Sequence, residues 1–195
     1  LPNINTIIGF HKGFSPPGPG SNQSDNVKPE ESLNTEFGAS ISSGLNSFKT
    51  IFFINDYKNL LGSDTQFAGL GTYDQFNAGK VYIRGLELSF TNKIFLKEFI
   101  IPFQLSYTLT TSRFKSSFES DYEPWGTVEE GFELPYLPKH QLFIESGLSY
   151  SKLDFNIRLK NSSRMRTIAG KGNLDKNFST DEICLLYTSD AADDT

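Results

Sequence analysis

The sequence predicts an all-β fold, an antiparallel up-and-down transmembrane β-barrel, and two observations carry that prediction. The first is a strict alternation of apolar and polar residues in segments too long for ordinary sheets. The second is an order of connections that runs long, short, long, short along the chain. Gly79 to Phe114 shows the alternation most plainly. Phe99, Ile101, Phe103, Leu105, Tyr107 and Leu109 fall on one side of an extended chain, with Ile100, Pro102, Gln104, Ser106, Thr108 and Thr110 on the other. Upstream, Leu86, Leu88 and Phe90 alternate with Glu87, Ser89 and Thr91. Successive side chains on a strand point to opposite faces, so each half reads as a two-faced ribbon and the pair as a hairpin.

The other elements follow the same grammar. Asn3 to Phe14 sets Ile4, Thr6, Ile8 and Phe10 against Asn5, Gly9 and His11. It stops at Ser15-Pro16-Pro17-Gly18-Pro19-Gly20, where proline and glycine forbid a ladder. Ser32 to Ser42 opposes Leu33, Phe37, Ala39 and Ile41 to Asn34, Glu36, Gly38 and Ser40. A third strand, Ser47 to Leu61, has a nearly continuous run of Phe48, Ile51, Phe52, Phe53 and Ile54, which leaves its register open. A polar loop from Gly62 to Ala78 leads to the long hairpin. The chain after Arg113 is irregular through Tyr122, Trp125, Gly126 and Gly131 to Leu134-Pro135-Tyr136-Leu137-Pro138. His140 to Tyr150 and Leu153 to Lys160 then make a last hairpin around Ser151-Lys152, followed by a polar loop from Asn161 to Asp181.

Long loops gathered at one end and short turns at the other are the habit of outer-membrane barrels. Predicted strands of about 10 to 14 residues suit a tilted bilayer crossing better than a globular sheet. No run of apolar residues is long enough for a transmembrane helix, and the mean hydropathy of −0.35 fits strands that hide from hydropathy scans. Alternation alone leaves a lipocalin-like barrel open, with its apolar face turned inward around a ligand. Glu36, Glu87, Glu145, Asp154, Arg158 and Lys160 on the polar face suit a wide wet lumen instead. Phe14, Tyr57, Tyr82, Tyr107 and Tyr150 near strand ends suit aromatic girdles. Of 195 residues with a net charge of −5, no basic footprint for nucleic acid stands out.

The chain divides into residues 1–183, a partial barrel domain, and residues 184–195. Leu1 is not an initiator methionine, so the chain is expected to begin inside a larger protein. The tail from Cys184 through Leu185, Leu186, Tyr187 and Thr188 to Asp194 resembles the read-through translation of a transposase-type sequencing adapter, and is expected to lie outside the fold. It carries the single Cys, so a disulfide framework, a CxxC zinc site or a catalytic thiol has no place in the rest.

Several segments together resemble one family. Phe10-His11-Lys12-Gly13-Phe14-Ser15-Pro16-Pro17, then Val27-Lys28-Pro29-Glu30-Glu31-Ser32-Leu33-Asn34-Thr35-Glu36-Phe37-Gly38, resemble the PE-x-S-x-N-x-E-x-G region of TonB-dependent outer-membrane receptors. Phe52 to Leu61 and Gly79 to Glu87 are similar to the strands that follow there. Glu133-Leu134-Pro135-Tyr136-Leu137-Pro138-Lys139-His140 resembles the LPY-x-P-x-H segment of the ferric-citrate subgroup. The resemblance implies a barrel of about 22 strands around a plug, of which this chain holds about seven strands. It also implies a partner, the TonB complex, engaged through an N-terminal plug outside these residues. Lipid and lipopolysaccharide would surround the barrel in the cell outer membrane. The protein would be a transporter and receptor, not an enzyme. It would need no cofactor, since iron travels as a chelate or siderophore that is the cargo.

An anionic ferric chelate calls for cations and hydrogen-bond donors, and arginine recognises carboxylates in a planar, two-pronged way. The candidate ligand-binding residues are Arg84, Arg113, Arg164 and Arg166, with Tyr73, Gln75, Tyr122 and Trp125 as loop contacts. His11 and His140, far apart in sequence, are expected to flank loops rather than to hold a metal. Arg158 and Lys160 beside Asp154 are expected to pair with carboxylates of neighbouring strands. Other readings are a passive porin or adhesin-type barrel, which would lack a plug upstream, and a soluble ligand-binding barrel, which would express without detergent. A barrel-embedded hydrolase would need a Ser/His/Asp grouping that the sequence does not offer.

Overall fold

The computed structural model describes residues 2–18, 27–63, 75–120, 125–151 and 153–192. Among them eight long strands form one antiparallel sheet: β1 (Asn3–Ser15), β2 (Glu30–Ser43), β3 (Asn46–Lys58), β6 (Val81–Leu96), β7 (Phe99–Phe114), β10 (His140–Tyr150), β11 (Leu153–Ser162) and β12 (Ile183–Ala192). Each pairs with the next in chain order, so the sheet is up-and-down throughout and is not closed. Two small hairpins, β4 (Leu61–Ser63) with β5 (Gln75–Asn77) and β8 (Phe118–Glu119) with β9 (Thr127–Val128), sit inside the long connections.

Residues paired across antiparallel strands share a face, so register turns the alternation of each strand into two continuous surfaces. Ile4, Ile41, Phe48, Phe90, Leu105, Ile144, Leu159 and Leu186 lie abreast across the whole sheet. One residue along each strand, the parallel row reads Asn5, Ser40, Lys49, Ser89, Ser106, Phe143, Lys160 and Leu185. The first surface is open: Phe10, Phe37 and Phe52 are 71%, 59% and 54% exposed. Among the described residues nothing covers it, and it is called the outer face below. The second carries the long loops at one end and is the inner face.

Register also settles β3. Phe48, Phe52 and Ile54 point outward while Ile51 and Phe53 point inward. Glycines on the flanking strands make room for the inward pair. A Cβ on Gly38 would stand 3.1 Å from Ile51 Cγ1, and one on Gly85 would stand 2.5 Å from Phe53 Cζ. At the turn end, Gly44 (φ 56°) and Lys97 (φ 55°) take the left-handed backbone that tight hairpins need.

At the other end the loops build a small core on the inner face from Ala78, Val81, Phe114, Trp125 and Val128. Trp125 meets Phe76 edge-on at 5.6 Å and Phe114 at 6.2 Å between ring centroids. Tyr57 packs against this cluster. It therefore belongs to the inner face and not to an outer girdle, because it shares parity with Phe53. The third strand ends at Lys58, three residues short of the expected Leu61, where Asn59 turns to a φ of 53°.

Of residues 184–195, expected to lie outside the fold, those up to Ala192 continue from Ile183 as β12, which runs along β11 from Ser162↔Ile183 to Leu153↔Ala192. The reason lies in the backbone. An edge strand offers unpaired N–H and C=O groups to any extended segment, and Leu, Tyr and Thr accept that conformation readily. The side chains of β12 do not keep the two-faced pattern, since Leu185 and Leu186 are 41% and 63% exposed on opposite faces.

Candidate functional site

The inner face of β7 supplies the floor of a cleft. Its hydroxyl-bearing positions, Thr108, Thr110 and Ser112, follow from the alternation that puts Leu109 outside. Ser112 is buried, and its Oγ accepts from Leu134 N at 2.9 Å. Nearby, Phe114 N donates to Phe132 O at 2.8 Å, and Gly131 N to Phe114 O at 2.9 Å. Residues 131–134 of the connection that follows are thereby strapped down over the strand.

A second connection, residues 163–182, is stitched to the first. Glu133 N donates to Gly170 O at 2.7 Å and Gly170 N to Glu133 O at 3.4 Å. Arg166, 9% exposed, donates from Nε to Glu133 Oε2 at 2.9 Å and from Nη2 to Gly172 O. Its own carbonyl accepts from Tyr136 N at 2.8 Å. Further out, Lys171 Nζ lies 3.4 Å from Glu129 Oε2 and 5.5 Å from the Phe132 ring centroid. Arg164 is held within its own connection, from Nε to Thr180 O and from Nη2 to Ser179 Oγ, both at 3.2 Å.

These contacts enclose a cleft of about 290 Å³ walled by Thr110, Ser112, Glu133, Lys139, Arg164 and Arg166. Toward the turn end, a larger hollow of about 550 Å³ is lined by Thr108, Gln141, Phe143 and Lys160. Met165 lines both and stands between them. Electrostatically the cleft is cationic. Arg166 and Glu133 neutralise one another, whereas Arg164 bonds to uncharged oxygens and Lys139 adds a second positive charge. Hydroxyls and two cations offer donors to an oxygen-rich anion.

Of the described residues singled out from sequence, Arg164 and Arg166 come together in the cleft and the others do not join them. Arg84 pairs across the sheet with Ile54 and Thr111, and Arg113 with Tyr82, which places both on the outer face. Gln75 accepts from Gly18 N at 2.6 Å, tying the first long connection to β5. Trp125 is 5% exposed in the aromatic core. Tyr73 and Tyr122 lie outside the described residues. Lys139, Thr110 and Ser112 were not singled out; the hydroxyl-rich parity of β7 was the signal for the latter two.

His11 points to the inner face with Asn34, and His140 to the outer with Leu109, so the sheet itself separates them. His140 Nδ1 lies 2.7 Å from Tyr107 Oη. Arg158 pairs with Glu145 on the inner face at 3.1 Å, as expected of neighbouring strands. Among the described residues no group of three His, Cys, Asp or Glu side chains converges to hold a metal ion.

Comparison with known proteins follows the same geometry. No curated protein sequence matches the chain. Among solved structures, a copper transporter, OprC, is similar with a TM-score of 0.59 at 16% identity. The likeness covers 100% of this chain and 29% of that one, and at this identity it speaks to the fold. The chain thus spans 29% of the length of that structure. The family model described as TonB dependent receptor-like, beta-barrel matches residues 1–189. By that match the chain belongs to the TonB-dependent receptor family and forms part of its β-barrel.

Proposed function

We propose that the chain is barrel wall from an outer-membrane receptor that binds a ferric chelate at its long-loop end and admits it under the control of TonB. The observation that carries this reading is the cationic, hydroxyl-lined cleft on the inner face, set beneath two stitched loops. Membership of the family supports TonB-coupled transport. The exposed apolar outer face supports burial in lipid, because a folded soluble chain rarely leaves so much contiguous apolar surface open.

In this reading Arg164 and Lys139 face carboxylate or other oxygen anions of the chelate, and the Thr110 hydroxyl donates to it. Arg166 does not touch the cargo. It holds Glu133 and Gly172, so that the two loops present one wall. The iron stays wrapped in its chelator and no bond is made or broken by the protein. The cleft favours this cargo over a bare copper ion, which prefers sulfur and imidazole ligands. Its lining offers hydroxyls, three cations, the Glu133 carboxylate held by Arg166, and Leu134, Leu137 and Leu174, with one thioether at Met165 and, among the described residues, no imidazole or thiol.

The test uses the intact receptor. Ferric citrate is titrated into the purified protein, and uptake of labelled iron is followed in cells with and without TonB. Arg164→Gln and Lys139→Gln are each expected to weaken binding about tenfold, the size of one charge-assisted hydrogen bond. Uptake that persists without TonB would instead mark a passive pore.

A further inference from the structure

Two spaces lie side by side on the inner face, and they differ in kind. The cleft of about 290 Å³ is lined by Arg164, Lys139 and the hydroxyls of Thr110 and Ser112. The neighbouring hollow of about 550 Å³ has strand side chains such as Thr108, Gln141 and Lys160 as its polar part. Tyr136 and Pro138 from one connection, Met165 from the other and Phe143 from the sheet bring apolar atoms to it, and all four precede β12. Small-molecule sites span roughly 300–1,000 Å³. The cleft lies at the lower limit, with room for the oxygen-rich groups of a chelate and little else, whereas the hollow lies well inside the range.

Phe143 is out of keeping with its strand. The other inward side chains of β10 are Gln141, Glu145 and Ser149, and its partners across the sheet are Ser106 and Lys160. Inward apolar residues elsewhere have close company. Ile51 and Phe53 fill space left by Gly38 and Gly85, and Val81 and Phe114 lie in the small core. Phe143 is half-buried and borders the hollow instead. A ring of this kind brings a large apolar contact area to a ligand. Met165 stands between the two spaces with its backbone held. Its N donates to Thr180 Oγ1 at 3.3 Å, and its carbonyl accepts from Thr180 N at 2.9 Å. The thioether side chain has three rotatable bonds and can swing aside without disturbing that pairing.

We infer that the hollow receives an alkyl or acyl arm of the chelate whose charged end sits in the cleft, and that Phe143 and Met165 select it. The cargo is then an amphiphile and not a bare polycarboxylate. The occupant follows from continuity. Met165 lines both spaces, so the hollow is the next room for any group attached to an anion held at Arg164 and Lys139. The inference rests on the chelate reading above and narrows it.

The experiment titrates the intact receptor, reconstituted in lipid nanodiscs, with the ferric complexes of citrate, citrate monobutylamide and citrate mono(2-methoxyethyl)amide. The two amides carry equal charge and arms of equal length, and differ only in the polarity of the arm. The butyl compound is expected to bind about tenfold more tightly than the methoxyethyl one. Phe143→Ser should bring the two within about twofold of each other, while Phe143→Leu keeps most of the preference. Arg164→Gln should weaken both amides alike, since it acts on their shared charged end. A heat-dependent shift in electrophoretic mobility checks that each variant is folded. Equal affinity for the two amides in the unaltered receptor, or a preference that survives Phe143→Ser, would overturn the inference while ferric citrate still binds. Failure of all three iron complexes to bind would overturn the chelate reading itself, and the inference with it.

Discussion

Gly85 stands between the ring of Phe53 and the carbonyl of Leu109, and a Cβ there would lie 2.3 Å from that oxygen. Neither neighbour can yield cheaply, so Gly85→Ala is expected to cost about 1–3 kcal/mol, read as a lower midpoint of chemical unfolding. Adding Phe53→Leu should recover only part of the loss, because the carbonyl remains. Arg166 poses a different test. Arg166→Gln breaks the bond to Glu133 that joins two loops, so residues 115–139 and 163–182 should be cut faster by a dilute protease while iron uptake falls less than with Arg164→Gln. Equal protease resistance would show the stitch to be idle. At this scale the sequence was half legible. Arg164 and Arg166 were singled out as arginines near the long-loop ends of strands, and the structure places both in the wall of one cleft. Arg84 and Arg113 were grouped with them although their parity, shared with Leu86 and Leu109, already placed them outside.

Strands were more legible than loops because alternation is enforced at every residue when the two faces meet different media. Seven strands were readable from it, and only β3 left its register open, since Ile51 and Phe53 are apolar residues on the polar face that glycines accommodate. The hairpins β4–β5 and β8–β9 were not foreseen, because two or three paired residues carry no periodicity. Adjacent residues on β6 give the cleanest test of the two faces. Leu88→Arg puts a charge in the outer band and should cost about 2–4 kcal/mol, seen as loss of folded protein from the membrane fraction. Ser89→Arg, one residue on, should insert normally. The last strand makes a separate point. Backbone pairing drew β12 into the sheet, yet Leu185 and Leu186 break its alternation, which is why the tail was set aside.

As a whole, the sheet presents two open edges, β1 and β12, and an uncovered apolar face. Open edges recruit other strands, and bare apolar surface recruits itself. Expressed alone, this chain is therefore expected to aggregate from aqueous buffer and to show no heat-dependent mobility shift in detergent. A monodisperse, protease-resistant product would contradict that expectation. The alternation of long and short connections was the strongest whole-molecule signal in the sequence, because it records which end of every strand lies on which side. The joining of the loops over the inner face was not legible, since it depends on contacts such as Arg166 to Glu133 that no local pattern announces.

That joining has an evolutionary cost. Two connections that share one latch cannot diversify separately, because a change of length in either moves Glu133 away from Arg166. A graft of residues 115–139 alone from a relative with different cargo should fail to transfer preference, whereas both connections exchanged together should carry it. On this geometry the two loops are expected to change together rather than one at a time.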